Sequence, residues 1–227
     1  MLSAIRGLIF DFDGLILDTE GPVFQSWQEL YQKFGCVLDL ATWAGYIGMS
    51  PGSIDLFIPL EACLGCPVDR LTLEPQRNAR ELALIVEQPI RPGVLTYLTR
   101  ARQLGLMIGL ASSSPCAWVI GHLERLDLLQ FFDVIHAADD VAHTKPDPSL
   151  YQTVLHHLGL QPNQAIAIED SPNGILAARR AGLYCLAVPN PLTRQLSLDQ
   201  ASLLIDSLAD LPLEALLEFA NQAPVGS

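Results

Sequence analysis

The sequence predicts an α/β protein with a doubly wound, Rossmann-like parallel sheet core and an inserted helical domain. Three observations predict it. From residue 105 onward, short apolar runs alternate with segments of helical periodicity, which is typical of a parallel sheet covered by helices on both faces. A further apolar run lies alone near the N-terminus, and the long stretch that follows it is helical in pattern.

The strands are predicted, in chain order, from short apolar runs bounded by polar or turn-forming residues. They cover residues 7–11, 105–111, 133–138, 165–168 and 184–188. The helices of the same region are predicted from apolar residues that recur every three or four positions. They begin near residue 91, cover 118–126 and 147–157, and end with 172–181, which Gly182 closes.

The stretch between the first strand and residue 91 has helical periodicity at 22–34, 50–64 and 74–87. Strand signals are scarce there, so the economical interpretation is a small helical domain inserted after the first strand. We therefore expect a core of residues 1–16 and 91–227 and an inserted domain of residues 17–90. Residues 222–227 are expected to be disordered.

The net negative charge of the chain argues against some classes of binding partner. The net charge is −12 and the pI is near 4.6, which argues against binding to nucleic acid or to an anionic membrane surface. A small phosphorylated metabolite stays compatible if a metal or a lysine reverses the local charge. The chain shows neither a membrane span nor a secretion signal, so we expect a cytoplasmic protein. It shows no heptad pattern, so we expect a monomer.

The five cysteines are an odd number spread along the chain, which does not resemble a disulfide framework. Cys63 and Cys66 form one C-x-x-C pair, and a single such pair without nearby histidines is weak support for zinc. We therefore expect structural thiols.

Polar side chains stand where the predicted strands end. In a regular strand Asp11 and Asp13 would point the same way, so their charges would repel each other. In open α/β sheets, ligands bind beyond the carboxyl ends of the strands, so these polar residues are predicted to converge. They are Asp11 and Asp13, Ser112 and Ser113, Lys145, and Glu169 and Asp170.

This set of residues suits phosphoryl transfer. Four carboxylates cannot crowd together without a cation, and oxygen ligands favour Mg²⁺. Ser112 and Ser113 lie between a strand and a helix, where hydroxyl and backbone N–H groups can hold a phosphate. Lys145 offsets the negative charge of the nucleophile and of the transferred group. A carboxylate can itself attack phosphorus and form an aspartyl-phosphate.

Four motifs carry a resemblance to a known family over nearly the whole chain. They are F-D-F-D-G at 10–14, L-A-S-S-S at 110–114, T-K-P-D-P at 144–148, and I-E-D-S-P-N-G-I at 168–175 followed by A-A-R-R-A-G. In this order and spacing they resemble the phosphatases of the haloacid dehalogenase superfamily, in the subgroup of β-phosphoglucomutase and phosphoglycolate phosphatase. The resemblance implies a Mg²⁺-dependent phosphatase that acts on a small phosphate monoester, such as a sugar phosphate or phosphoglycolate.

The resemblance also implies a role for each matching residue. Asp11 would be the nucleophile, and Asp13 the general acid that later activates water as a base. Ser112 would bind the transferring phosphoryl group, and Lys145 would steady that group and Asp11. The implied metal site consists of Asp11, the backbone carbonyl of Asp13, Glu169 and Asp170.

Substrate contacts are implied less directly. The backbone of Ser113 and the side chain of Asn173 are candidates, and Arg77 lies where relatives have a basic residue that touches substrate. The inserted segment matches the cap domain of the family, which closes over the site and selects the substrate. Residues 14–20 and 91–93 would be its hinges.

Two departures weigh against a mutase. The histidine that the mutase has shortly after its D-T segment is replaced here at Pro22-Val23, and the arginine after its cap G-x-S motif is replaced by Pro51. A β-phosphoglucomutase-type isomerase stays the alternative. A non-enzymatic module that stores phosphate on an aspartate, as receiver domains do, is the third, although such modules lack a large helical insertion.

Some polar residues have a structural interpretation. Asp18 is expected to cap the first helix of the inserted domain. Asp139 and Asp140 are expected to begin a helix or a turn, and His122 to have a structural role in its helix.

Overall fold

The computed structural model describes residues 5–39, 42–43 and 55–223. It divides into two compact units: unit 1 joins Met1–Leu17 to Ile90–Ser227, and unit 2 is Asp18–Pro89. Unit 1 holds a parallel sheet covered by helices, which confirms the predicted α/β class. Within the described ranges, every helix falls short of the length and apolar character needed to cross a bilayer.

Six parallel strands form one sheet in unit 1. They are β1 (Gly7–Phe10), β2 (Met107–Ala111), β3 (Val134–His136), β4 (Ala165–Glu169), β5 (Tyr184–Ala187) and β6 (Leu203–Leu204). The order across the sheet is β3-β2-β1-β4-β5-β6, and Leu8 of β1 pairs with Ile108 on one side and Ile166 on the other. The winding reverses between β1 and β4, and the carboxyl ends of strands at such a point are where doubly wound sheets bind ligands.

Eight α-helices occur in the described residues. They are α1 (Glu20–Lys33), α2 (Phe57–Leu64), α3 (Arg70–Val86), α4 (Val94–Gln103), α5 (Cys116–Arg125), α6 (Ser149–Leu158), α7 (Pro172–Arg180) and α8 (Leu213–Gln222). The first three belong to unit 2 and the other five to unit 1. Helix α6 lies close against the sheet, since a Cβ at Gly109 of β2 would come within 2.4 Å of Val154 Cγ1.

Unit 2 is held together by contacts between its helices. The Trp27 ring of α1 lies edge-on to Phe57 of α2, with ring centroids 5.0 Å apart. Arg80 of α3 pairs with Glu29 of α1 at 2.8 Å. Asp18 Oδ1 accepts a hydrogen bond from Gly21 N at 2.9 Å, which confirms its predicted capping of α1.

A disulfide links Cys36, which follows α1, to Cys63 of α2. The expectation that all five cysteines are thiols is therefore wrong for this pair. The two residues are 27 positions apart in sequence, and their Cα atoms lie 6.4 Å apart because α1 and α2 bring them together. Cys66, Cys116 and Cys185 are free.

The predicted strands all occur, and each end lies within two residues of its predicted position. The predicted helix at 50–64 is represented by α2, and residues 50–54 lie outside the described residues, as does Pro51 of the cap motif. The pattern missed β6 and α8. Gln222, expected to be disordered, ends α8.

Asp139 and Asp140 take part in a short 3₁₀ turn that follows β3. Asp140 Oδ2 accepts a hydrogen bond from Ala137 N at 2.9 Å, and Asp139 Oδ2 accepts one from Cys116 N at 2.5 Å. These bonds confirm the structural interpretation of both residues.

Candidate active site

Asp11 and Asp13 lie just beyond the carboxyl end of β1. Asp11 N continues the sheet ladder to Ile168 O at 3.0 Å, and the chain then turns, with Gly14 N bonded to Leu17 O at 2.8 Å. Gly14 has φ +78°, and a Cβ there would lie 2.1 Å from Asp170 Oδ2, so only glycine fits. The two acids have different partners, since Asp11 bonds to Lys145 whereas Asp13 bonds to Ser114 and Trp118.

Lys145 joins two of the buried acids. Its ammonium donates to Asp11 Oδ1 at 2.5 Å and to Glu169 Oε1 at 2.7 Å, and its side chain is only 6% exposed. It also lies 5.2 Å from the centre of the Tyr151 ring. The arrangement brings the predicted lysine to the predicted nucleophile.

Glu169, the last residue of β4, is completely buried and fully hydrogen-bonded. Its Oε1 accepts bonds from Lys145 and from the Tyr151 hydroxyl, the latter at 2.6 Å. Its Oε2 accepts bonds from Asp170 N at 3.1 Å and Ser171 Oγ at 3.3 Å. Burial raises the pKa of Tyr151 well above its ordinary value, which keeps its hydroxyl a donor.

Asp170 is 2% exposed and is held by Asn190, whose Nδ2 donates to Asp170 Oδ2 at 2.9 Å. Asn190 is fixed in turn, because its Oδ1 accepts bonds from Leu192 N and Thr193 N. Asp11, Glu169 and Asp170 each offer an oxygen, and these atoms lie within 4.8 Å of one another. A set of buried carboxylate oxygens fits a hard divalent cation.

The electrostatics of this cluster follow from its excess of carboxylates. Burial raises the pKa of Asp11 to about 8, with Lys145 opposing the rise and Glu169 adding to it. Burial by itself lowers the pKa of Lys145, but the carboxylates of Asp11 and Glu169 outweigh that effect and the net shift is upward. A divalent cation bound by Asp11 would therefore compete with a proton for this carboxylate.

The serines follow β2, whose end lies beside β1. Ser112 is completely buried, and its N donates to His136 O of β3 at 3.0 Å. Its Oγ accepts a bond from Ser114 N at 3.0 Å and lies 3.4 Å from Asp13 Oδ2. Ser113 is exposed. The structure thus brings Ser112 to Asp13, as expected for neighbouring strand ends.

The two other side chains predicted to contact substrate belong to different units. Asn173 is the second residue of α7 and is partly exposed. Arg77 belongs to α3 in unit 2, where its Nη1 donates to Glu81 and to Ser26 Oγ and its guanidinium stacks 4.7 Å from the Trp27 ring centre. The predicted contacts of Ser113, Asn173 and Arg77 with substrate stay predictions.

Sequence reasoning missed four side chains that support the site. Tyr151 and Asn190 hold the two acids that follow β4, as described above. Ser114 Oγ donates to Asp13 Oδ2 at 2.6 Å, and Trp118 Nε1 donates to Asp13 Oδ1 at 3.0 Å. Trp118 and Tyr151 lie on helices, where an aromatic residue at helical spacing is most simply interpreted as a packing residue.

Comparison with known proteins places this chain in one family. The model of the haloacid dehalogenase-like hydrolase family matches residues 8–188. A Bacillus subtilis (strain 168) protein with the provisional name of phosphatase YhcW is 42% identical over 217 residues, which are 96% of this chain and 98% of that protein. The Thermotoga maritima phosphorylated carbohydrates phosphatase is 30% identical over 79% of this chain and 82% of its own.

Solved structures agree. CbbY from Rhodobacter sphaeroides, crystallised in complex with phosphate, superposes with a TM-score of 0.70 at 28% identity, covering 91% of this chain and 96% of that one. The chain therefore belongs to the haloacid dehalogenase-like hydrolase family. The predicted enzyme class is confirmed, since the family is one of hydrolases and the Bacillus subtilis and Thermotoga maritima relatives are named phosphatases.

Proposed function

We propose that this enzyme is a divalent-cation-dependent phosphatase that hydrolyses a sugar phosphate through an aspartyl-phosphate on Asp11. One observation carries the proposal: the Asp11 carboxyl is bonded to a buried lysine and lies beside two further buried acids, while Asp13, two residues on, has separate donors. Asp11 thus has the environment of a nucleophile, and Asp13 that of a group that exchanges protons with reactants.

The reaction has two steps. In the first, an Asp11 oxygen attacks phosphorus, the ester P–O bond breaks, and Asp13 gives its proton to the leaving sugar oxygen. In the second, Asp13 takes a proton from water as the water oxygen attacks phosphorus and the bond to Asp11 breaks. Each step leaves Asp13 ready for the next, so a single carboxyl serves as acid and then as base.

The remaining residues bind and neutralise charge. Lys145 offsets the negative charge of Asp11 and of the transferred group, and Ser112 binds that group at the end of β2. A divalent cation, Mg²⁺ by the preference of carboxylate oxygens, would neutralise the phosphoryl oxygens. It would be held by Asp11, the backbone carbonyl of Asp13, Glu169 and Asp170.

The substrate class follows from the relatives and from the charge. The Thermotoga maritima relative is named for phosphorylated carbohydrates, and it aligns with four-fifths of this chain. The acidic surface of the protein, with a net charge of −12, favours a small ester over a polyanion. A phosphorylated sugar is therefore proposed ahead of phosphoglycolate.

The test is orthophosphate release from hexose phosphates, hexitol phosphates, phosphoglycolate and nucleotides, with Mg²⁺ and with a chelator. We expect metal-dependent release from one or a few sugar phosphates, and its loss in Asp11→Asn. Asp127→Asn is the matched control, because it is the same substitution at an exposed residue whose φ of 55° suits asparagine. Release that survives in Asp11→Asn would refute the mechanism, and conversion of glucose 1-phosphate to the 6-phosphate without release would support the mutase instead.

A further inference from the structure

Both oxygens of the Asp13 carboxyl are held by protein donors. Trp118 Nε1 donates to Oδ1 at 3.0 Å, and Ser114 Oγ donates to Oδ2 at 2.6 Å. Ser112 Oγ lies a further 3.4 Å from Oδ2. The acid thus has one oxygen facing an indole and the other facing two hydroxyls.

We propose that Trp118 is a positioning residue that fixes which oxygen of Asp13 transfers the proton. An indole N–H can only donate, so Oδ1 stays an acceptor whether or not Asp13 carries a proton. A serine hydroxyl can donate or accept, so Oδ2 can be either ionised or protonated without losing its partner. The proton that moves to the leaving oxygen, and later comes from water, is therefore carried on Oδ2. The inference rests on the proposed function, in which Asp13 is the acid and base.

The position of the indole is itself well determined. Trp118 lies in the first turn of α5, and its ring stands edge-on to His122 with centroids 4.3 Å apart. His122 is 6% exposed and stacks on Phe12, whose centroid is 6.2 Å away. Phe12 is completely buried and directly precedes Asp13. The aromatic row therefore ties the indole donor to the same backbone segment that carries the acid.

Comparing kcat/KM for two leaving groups distinguishes a loss of acid positioning from a general loss of active-site structure. A sugar alkoxide is a poor leaving group that needs the proton, whereas p-nitrophenolate leaves readily without one. Trp118→Phe keeps an aromatic ring and removes the donor. We expect it to lower kcat/KM for the sugar phosphate by about tenfold or more and for p-nitrophenyl phosphate by less than about threefold, with KM for both nearly unchanged.

Trp43→Phe is the matched control. It also deletes an indole N–H, but one that is buried without a hydrogen-bond partner among the described residues, so both substrates should be turned over as by the unaltered enzyme. In an Asp13→Asn background, Trp118→Phe should cause little further loss of kcat/KM, because the indole acts through the Asp13 carboxyl. An equal loss on both substrates, or no loss on either, would overturn the proposal.

A second measurement does not depend on how Trp118→Phe folds. The protein has three tryptophans, so the indole N–H region of a ¹H–¹⁵N spectrum should hold three signals. Asp13→Ala should shift the Trp118 signal, which loses its carboxylate partner, and leave those of Trp27 and Trp43 in place. An unmoved Trp118 signal contradicts the inferred bond. If the proposed phosphatase function were wrong, the unaltered enzyme would release phosphate from neither ester, which distinguishes that failure from a failure of the Trp118 proposal.

Discussion

Lys145 Nζ lies 2.5 Å from Asp11 Oδ1, although 134 positions separate the two residues in the chain. The contact forms because β1 ends at the switch point of the sheet and the loop before α6 reaches the same edge. Both side chains are more than nine-tenths buried, and the same ammonium also pairs with Glu169. Such a cluster is costly unless each charge is matched, so its members depend on one another.

Lys145 and Glu169 should therefore make coupled contributions to the free energy of unfolding. Lys145→Met leaves the buried Glu169 carboxylate without its cation and should lower the free energy of unfolding by about 3 kcal/mol at pH 7.5. Adding Glu169→Gln should recover at least about 1 kcal/mol, because one uncompensated charge is then gone. Urea unfolding of both single variants and the double variant measures this. Strictly additive losses would show that the pair is not coupled.

Gly174, in the first turn of α7, lies directly against the Glu169 carboxylate at the end of β4. A Cβ at this position would lie 1.9 to 2.0 Å from the carboxylate atoms, and Lys145 and Tyr151 prevent Glu169 from moving away. Gly174→Ala should therefore destabilise the protein by about 1–3 kcal/mol and reduce phosphate release. Thermal unfolding and activity assays check both effects.

Gly121 of α5 supplies the matched control. A Cβ there meets no atom within 4 Å, so Gly121→Ala should stabilise the protein by about 0.5–1 kcal/mol through helix propensity alone. If both alanine substitutions changed stability in the same direction, the close approach of Gly174 to Glu169 would not explain the effect of Gly174→Ala.

His122 should make stability depend on pH. Burial lowers the pKa of His122 below its ordinary 6.5, with Arg125 adding to the effect and Asp13 opposing it. The unfolded state then binds more protons below pH ~6.5, so this contribution to stability is complete above that pH and is lost as the pH falls through it. Relative to the unaltered protein, His122→Phe should therefore gain free energy of unfolding as the pH falls from 7.5 to 5.5, because it lacks the histidine that must take up this proton.

The exposed His156 of α6 gives the comparison for that prediction. His156→Gln removes a histidine that is not buried, so its pH profile should follow that of the unaltered protein. A His122→Phe profile parallel to the original would show that His122 makes no such contribution.

Binding of Mg²⁺ should release protons. Burial raises the pKa of Asp11 to about 8, so near pH 7 a cation bound to this carboxylate competes with a proton. Affinity should therefore rise between pH 6 and 9. Calorimetric titrations at pH 7 in buffers of different ionisation enthalpy count the protons released, and we expect close to one. Asp11→Asn should release none, and a binding heat independent of the buffer would disprove the linkage.

The fold could be predicted from the sequence because its signals are local. Strands β1 to β5 are short apolar runs, and the helices that follow them show their own periodicity. Strand order is not local, so the pairing of β1 with both β2 and β4 had to come from the structure. Strand β6 has two residues, too few to show a pattern.

The residues of the candidate site could likewise be predicted from the sequence only in part. Asp11, Asp13 and Lys145 could be predicted because charged residues at strand ends have few structural uses. Their supporting partners could not, since Tyr151 and Trp118 look like packing residues until the acids they face are located. The disulfide was missed for a related reason: whether Cys36 and Cys63 meet depends on how two helices approach, which spacing does not disclose.

The identity of the nucleophile can be tested most directly by trapping the intermediate in Asp13→Asn. This variant lacks the base for the second step, but p-nitrophenolate needs no acid to leave in the first. With ³²P-labelled p-nitrophenyl phosphate and Mg²⁺, we predict a burst of about one nitrophenolate per enzyme and acid-stable, hydroxylamine-sensitive label on the peptide that contains Asp11. Label on any other residue, or no label while the unaltered enzyme hydrolyses the ester, would show that Asp11 is not the nucleophile.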